Sequence, residues 1–152
     1  MEGLSEDIAA RNGASLARYA DHGERLSDLE LANVIDPPWT AAALFAHVAF
    51  WDRFVLERWR LAADRGERTP AELDDDVMDR LNDALLPQWL AIPPRAAVAE
   101  CAAAGREVDA HVGDLDPEVV TEIVEAGRER LIDRSVHRGE HLRTIDRAFP
   151  AS

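Results

Sequence analysis

Cysteine is almost missing from this chain. Cys101 is the single one in 152 residues, which excludes an intramolecular disulfide and any cysteine-rich metal site. Positive charge is scarce as well: 17 Lys and Arg stand against 30 Asp and Glu, a formal charge of −13. Binding to a phosphate backbone needs a basic surface, so nucleic acid is not expected as a partner. An acidic surface also has little affinity for anionic membranes. No apolar run approaches the roughly 18 residues of a membrane span. The opening MEGLSEDIAARNG lacks the basic-then-apolar order of a signal peptide. Nor does any segment alternate with period two for the length of a strand. With no repeat, low-complexity tract or linker, the expectation is one cytoplasmic domain over residues 1–152, large enough to bury a core unaided.

What the chain does have is helical periodicity. Leu4 to Arg25 reads as a first helix with Leu4, Ile8, Leu16, Tyr19 and Leu26 inward. Gly13 and Gly23 weaken it by about 1 kcal/mol each. Ser27 and Glu30 have capping-box spacing for a short helix, which Asp36-Pro37-Pro38 ends. Thr40 is an N-cap for the strongest element, Ala41 to about Ala63. At about 100° per residue, Leu44, His47, Val48, Trp51, Phe54, Val55 and Arg58 fall within about 120° of one another. His47 therefore lies inside an apolar stripe. Asp64 to Asp76 reads as a loop, and Asp75 or Asp76 caps a helix through Met78, Leu81, Leu85 and Trp89, with Asn82 near the same face. After Ile92-Pro93-Pro94, an alanine-rich helix from Arg95 to Val112 packs through Val98, Cys101, Val108 and Val112. Cys101 therefore reads as core, with no base or cation to activate it. Asp116-Pro117-Glu118 gives an N-cap, a proline at the first helical position and an acid in the first turn. A last helix, Arg128 to Phe149, packs through Leu131, Leu142, Ile145 and Phe149. Together these predict an all-α four-helix bundle with short additional helices in the connections.

The histidines carry the chemistry. His137 and His141 are four residues apart on the last helix, so their rings project from one side and can grip one metal ion. Alone, such a pair also occurs by chance on exposed helices, and His47 alone fits a hydrogen-bonded core histidine. A bundle that turns both faces inward joins the three in one site. Three protein ligands with one open position mark a catalytic rather than a structural zinc. A water bound there becomes acidic, and a thiol binds as the thiolate. His22 and His111 lie in polar surroundings without a partner at ligand spacing. His137-Arg138-Gly139-Glu140-His141 also matches the H-x-x-E-H of inverted zinc peptidases. No glutamate follows His141 to act as a third ligand, and that chemistry is set aside. Arg134 lies one turn before His137, and Arg138 near the centre of the apolar stripe. A buried arginine is costly unless paired, so each either pairs with a structural carboxylate or faces an anionic ligand beside the metal. Trp51, Arg58 and Asn82 are further candidates for the same pocket.

Trp39-Thr40, His47-Val48-Ala49-Phe50-Trp51 and His137-Arg138-Gly139-Glu140-His141-Leu142 resemble the DinB/YfiT-like superfamily. That group includes the metal-binding domain of mycothiol-dependent maleylpyruvate isomerase. The resemblance spans the chain from its first helix to Phe149. It implies a four-helix bundle, often a homodimer, with a divalent ion, Zn²⁺ or Ni²⁺, on His47, His137 and His141. It further implies a metal-dependent transferase joining a low-molecular-weight thiol, mycothiol or bacillithiol, to a small electrophile. A non-catalytic stress protein and a metal-dependent hydrolase are the alternative activities. In the isomerase the C-terminal pair is Glu-x3-His; histidine at its first position here favours a three-histidine branch. The isomerase's extra C-terminal domain has no counterpart in this sequence, which argues against that particular reaction.

Overall fold

The computed structural model describes residues 2–150. The chain runs α1 (Glu2–Arg25), α2 (Asp28–Ala32), β1 (Val34–Asp36), β2 (Trp39–Thr40), α3 (Ala41–Asp64), α4 (Asp75–Ala91), α5 (Pro94–Gly113), α6 (Pro117–Glu125), a 3₁₀ turn (Glu129–Leu131) and α7 (Ser135–Ala148). Helices α1, α3, α5 and α7 form the bundle, and α4 packs along the outside of α3. The fold is all-α, as the periodicity indicated.

Small residues put α3 at the centre. From Ala41 to Ala49 every side chain is buried, because alanine on several sides admits neighbours all round the helix. A single apolar stripe understates this; a helix buried on all sides has no solvent face to reveal its direction. Thr40 caps α3 as expected, its hydroxyl accepting the Ala43 amide at 3.0 Å. The Ser27–Glu30 capping box forms in both directions. Gly23, a weak point for an isolated helix, is where α5 crosses α1: a Cβ there would lie 2.6 Å from Val98 Cγ1.

Four details differ from the sequence reading. The short helix α2 stops at Ala32, ahead of the prolines, with Asn33 as C-cap. Val34–Asp36 then pairs antiparallel with Trp39–Thr40, a ladder too short to leave a period-two pattern. Asp74 rather than Asp75 or Asp76 caps α4, accepting the Asp76 amide at 2.8 Å. The last helix starts at Ser135, not Arg128. Its entry is fixed from far away: Asn12 Oδ1 on α1 accepts the Arg134 and Ser135 amides at 2.8 and 3.2 Å.

The core has two apolar levels with a polar layer between them. One level gathers Tyr19, Phe45, Trp89, Cys101 and Leu142; the other gathers Ile8, Trp59, Val108, Val120 and Leu131. Burial pushes the Cys101 thiol up to about 12, so it is inert core. Between the levels lie Asn12, Ser15, Asp52, Arg134 and Arg138, all buried. Asp52 is 0% exposed and takes Arg134 Nε on one oxygen at 2.8 Å and Arg138 Nη2 on the other at 2.9 Å. Arg138, also 0% exposed, reaches across to Asp109 at 2.8 Å and donates to the Asn12 carbonyl at 3.0 Å. Burial alone would lower its pKa, but Asp52 and Asp109 raise it on balance. This layer ties all four bundle helices together.

Candidate metal centre

Three imidazoles meet where α7 passes the first turns of α3. One helical turn separates His137 from His141, which aligns their rings, and His47 faces them from α3. The Nε2 atoms form a triangle: His47 to His137 3.0 Å, His47 to His141 3.1 Å, His137 to His141 3.2 Å. His47 is 4% exposed, whereas the α7 pair is half-buried and borders the outside. Trp39, carried in by the β1–β2 ladder, and Trp89 from α4 clamp the His47 ring edge to face, with centroids 5.2 and 4.8 Å away.

The triangle poses a problem that hydrogen bonds cannot solve. A neutral imidazole nitrogen is either a donor or an acceptor. Three nitrogens in mutual contact cannot alternate, so at least one pair always meets like to like. A cation among them removes the conflict, since each nitrogen then directs a lone pair at it. Tetrahedral zinc ligands with Zn–N of about 2.0–2.1 Å sit about 3.3 Å apart, a few tenths of an ångström beyond the observed spacing. His47 Nδ1 is buried without a partner, which fits a proton parked there while Nε2 keeps its lone pair. The donor set fits a divalent ion.

The electrostatics agree. Burial lowers the His47 pKa to about 3, with His141 and Arg134 adding to the effect. Burial, then Arg134, holds His137 well below its ordinary value. Burial also lowers His141, against the opposing pull of Glu140. All three rings are therefore neutral at pH 7, the form in which an imidazole can bind a metal.

A stability prediction follows from these directions. Folded rings resist protons that unfolded rings accept at about 6.5. Their contribution to the metal-free protein is complete above that value and is lost as pH falls towards about 3, the folded value of His47. Urea titrations of metal-free wild type and His47→Ala should show the stability gap between them narrowing through this window. A gap independent of pH would refute the burial of an uncharged ring.

A model of the DinB superfamily matches residues 13–146, a span that contains all three histidines and the polar layer apart from Asn12. The chain belongs to the DinB superfamily. Neither the curated proteins nor the solved structures contain a match. Within this DinB-superfamily chain the other candidate residues take different roles, and Arg58 does not join the histidine pocket. Trp51 Nε1 donates to Asn82 Oδ1 at 2.7 Å, fastening α4 to α3. Arg58 turns away to the Ala71 carbonyl at 2.8 Å. Arg138 is sealed in the polar layer against Asp52 and Asp109, so of the two alternatives it adopts the pairing with carboxylates. Arg134 does the same through Asp52; its Nη1 donates to the Arg130 carbonyl at 2.7 Å, and its Nη2 lies 3.4 Å from His137 Nδ1. His22 is held by Asp146 at 2.8 Å and Arg25 at 2.8 Å, away from the centre.

Sequence reasoning missed Trp39 and Trp89 as the walls of His47, and Asp52, Asp109 and Asn12 as the supports of α7. Asp52 had a signal: it falls one turn after Val48 and one before Leu56, an acid inside the buried face.

Proposed function

We propose that this DinB-superfamily chain is a cytoplasmic, metal-dependent transferase that joins a low-molecular-weight thiol of the mycothiol or bacillithiol type to an electrophilic small molecule. The Nε2 triangle of His47, His137 and His141, 3.0–3.2 Å on a side, is the observation that supports it. Zn²⁺ or Ni²⁺ held there would supply Lewis acidity and an open position that lowers the pKa of a thiol. The chain's own residues provide the rest. Trp39 and Trp89 hold His47 and keep water from its sides. Asp52, through Arg134 and Arg138, fixes the part of α7 that carries His137. His137 and His141 are half-buried, and theirs is the side from which reactants would come. In the reaction the thiol sulfur forms a bond to the electrophilic carbon as the bond to the leaving group breaks. The leaving group takes the electron pair, and the thiol proton passes to solvent. A reducing cytoplasm keeps such thiols available.

The test is turnover. Protein reconstituted with zinc or nickel is mixed with mycothiol or bacillithiol and either monobromobimane or a chlorinated nitrobenzene. Conjugate should form above the uncatalysed rate, and His47→Ala should lose that excess. Thiol bound one to one without turnover would instead indicate a ligand-binding stress protein. Cleavage of an ester or amide without thiol would indicate a hydrolase.

A further inference from the structure

A second cationic site lies farther along α3. Arg58 follows His47 by three turns, about 16 Å along the helix axis. There the segment between α3 and α4 folds back over the helix and borders a half-open cavity of about 190 Å³. Phe54, Leu61 and Leu73 form apolar wall, and Arg58 and Arg65 also line it. Arg58 donates to the Ala71 carbonyl at 2.8 Å, and Arg128 donates to the neighbouring Pro70 carbonyl at 2.7 Å. Two guanidiniums thus grip adjacent carbonyls of one loop.

Neither has a carboxylate partner at ion-pair distance among the described residues. Carboxylates are not in short supply, since the chain has 30 acidic against 17 basic residues. Ten other arginines do find one: Arg11, Arg18, Arg53, Arg60, Arg68 and Arg80, and Arg95, Arg130, Arg134 and Arg138. Glu67 and Glu72 line the same cavity but are exposed and pair with neither guanidinium. Arg58 is half-buried, and burial, then Arg128 and Arg134, lower its pKa. Like charges have been brought together beside a cavity with no carboxylate in ion-pair contact with either. Each guanidinium carries five N–H donors in a planar fork, and the loop carbonyls occupy one nitrogen of each.

We infer that this cavity is a binding subsite for a small carboxylate-bearing molecule with a compact apolar body. The carboxylate sits on the Arg58 fork, under the added field of Arg128, and the body lies against Phe54 and Leu61. Guanidinium and carboxylate match in a two-point contact, and the cavity has room for a body the size of one aromatic ring. The subsite is separate from the histidine centre and does not need the metal.

Phenylacetate and its neutral analogue phenylacetamide are suitable probes, titrated into metal-free protein and followed by NMR. Phenylacetate should shift the signals of Phe54, Leu61 and the Arg58 side chain. It should bind roughly tenfold or more tightly than the amide, and Arg58→Gln should erase that preference. Arg58→Lys keeps the charge but lacks the fork, and should retain part of it. If Arg58→Gln loosens the loop, the acid-to-amide ratio in the wild type decides alone. Equal affinity for acid and amide, no binding of either, or shifts centred elsewhere would each overturn the subsite. Metal content of the same variants after separate reconstitution with zinc keeps the two readings apart, because loss of either site leaves the other intact.

Discussion

Asp52→Asn is expected to cost the metal-free protein about 3–5 kcal/mol and to lower its Tm by roughly 6–20 °C. The substitution preserves shape and removes one charge. It leaves Arg134 and Arg138 buried with only Asp109 to oppose them. Coulomb energy between buried charges is large, but so is the cost of taking each from water, and the complete network gains little over an apolar layer. The asymmetry is the point: breaking it is far worse than never having had it. Thermal and urea unfolding followed by circular dichroism would measure the loss. A triple exchange of Asp52, Arg134 and Arg138 for apolar residues of similar size should recover most of it. An Asp52→Asn protein as stable as wild type would show that the arginines find other partners or water. The same variant should weaken metal binding roughly 10–100-fold, the usual effect of disturbing a ligand's outer support, because Asp52 anchors Arg134 and Arg138, which flank His137 in sequence and fix the start of α7.

His141→Ala should abolish tight metal binding while leaving the helices in place. Loss of one of three ligands must exceed the roughly 10–100-fold effect of an outer contact. The fold should not depend on the ion, since His141 belongs to neither apolar level and is half-buried. Elemental analysis of untagged protein after reconstitution would count zinc or nickel per chain, and far-ultraviolet circular dichroism would report the helices. His22→Ala is the control: that ring is held by Asp146 and Arg25 and should leave metal content unchanged. Wild-type stoichiometry in His141→Ala would make the ligand assignment wrong.

Much of this architecture is written locally. Thr40, Ser27–Glu30 and Asp116-Pro117 mark helix starts within a few residues of themselves, and each forms its expected cap. The His-x3-His spacing likewise needs only a helix to become a pair of aligned ligands. What escaped was set by residues far apart in sequence. The start of α7 depends on Asn12, 122 residues before Arg134, and no local window contains both. Arg138 could be recognised as buried from periodicity, but its partners could not be assigned until α3 and α5 were placed beside it. The tryptophans around His47 come from a short ladder and from a flanking helix, neither of which shares its periodicity.

The polar layer also bears on how the chain is made. Asp52 precedes Arg134 by 82 residues and Arg138 by 86. At a synthesis rate of about 5–20 residues per second, the carboxylate waits roughly 4–16 s for its cations. Throughout that interval a collapse of α1 against α3 would strand an uncompensated charge in an apolar interior. The cost of burying that lone charge opposes such a collapse until the ribosome has delivered the segment that bears both arginines.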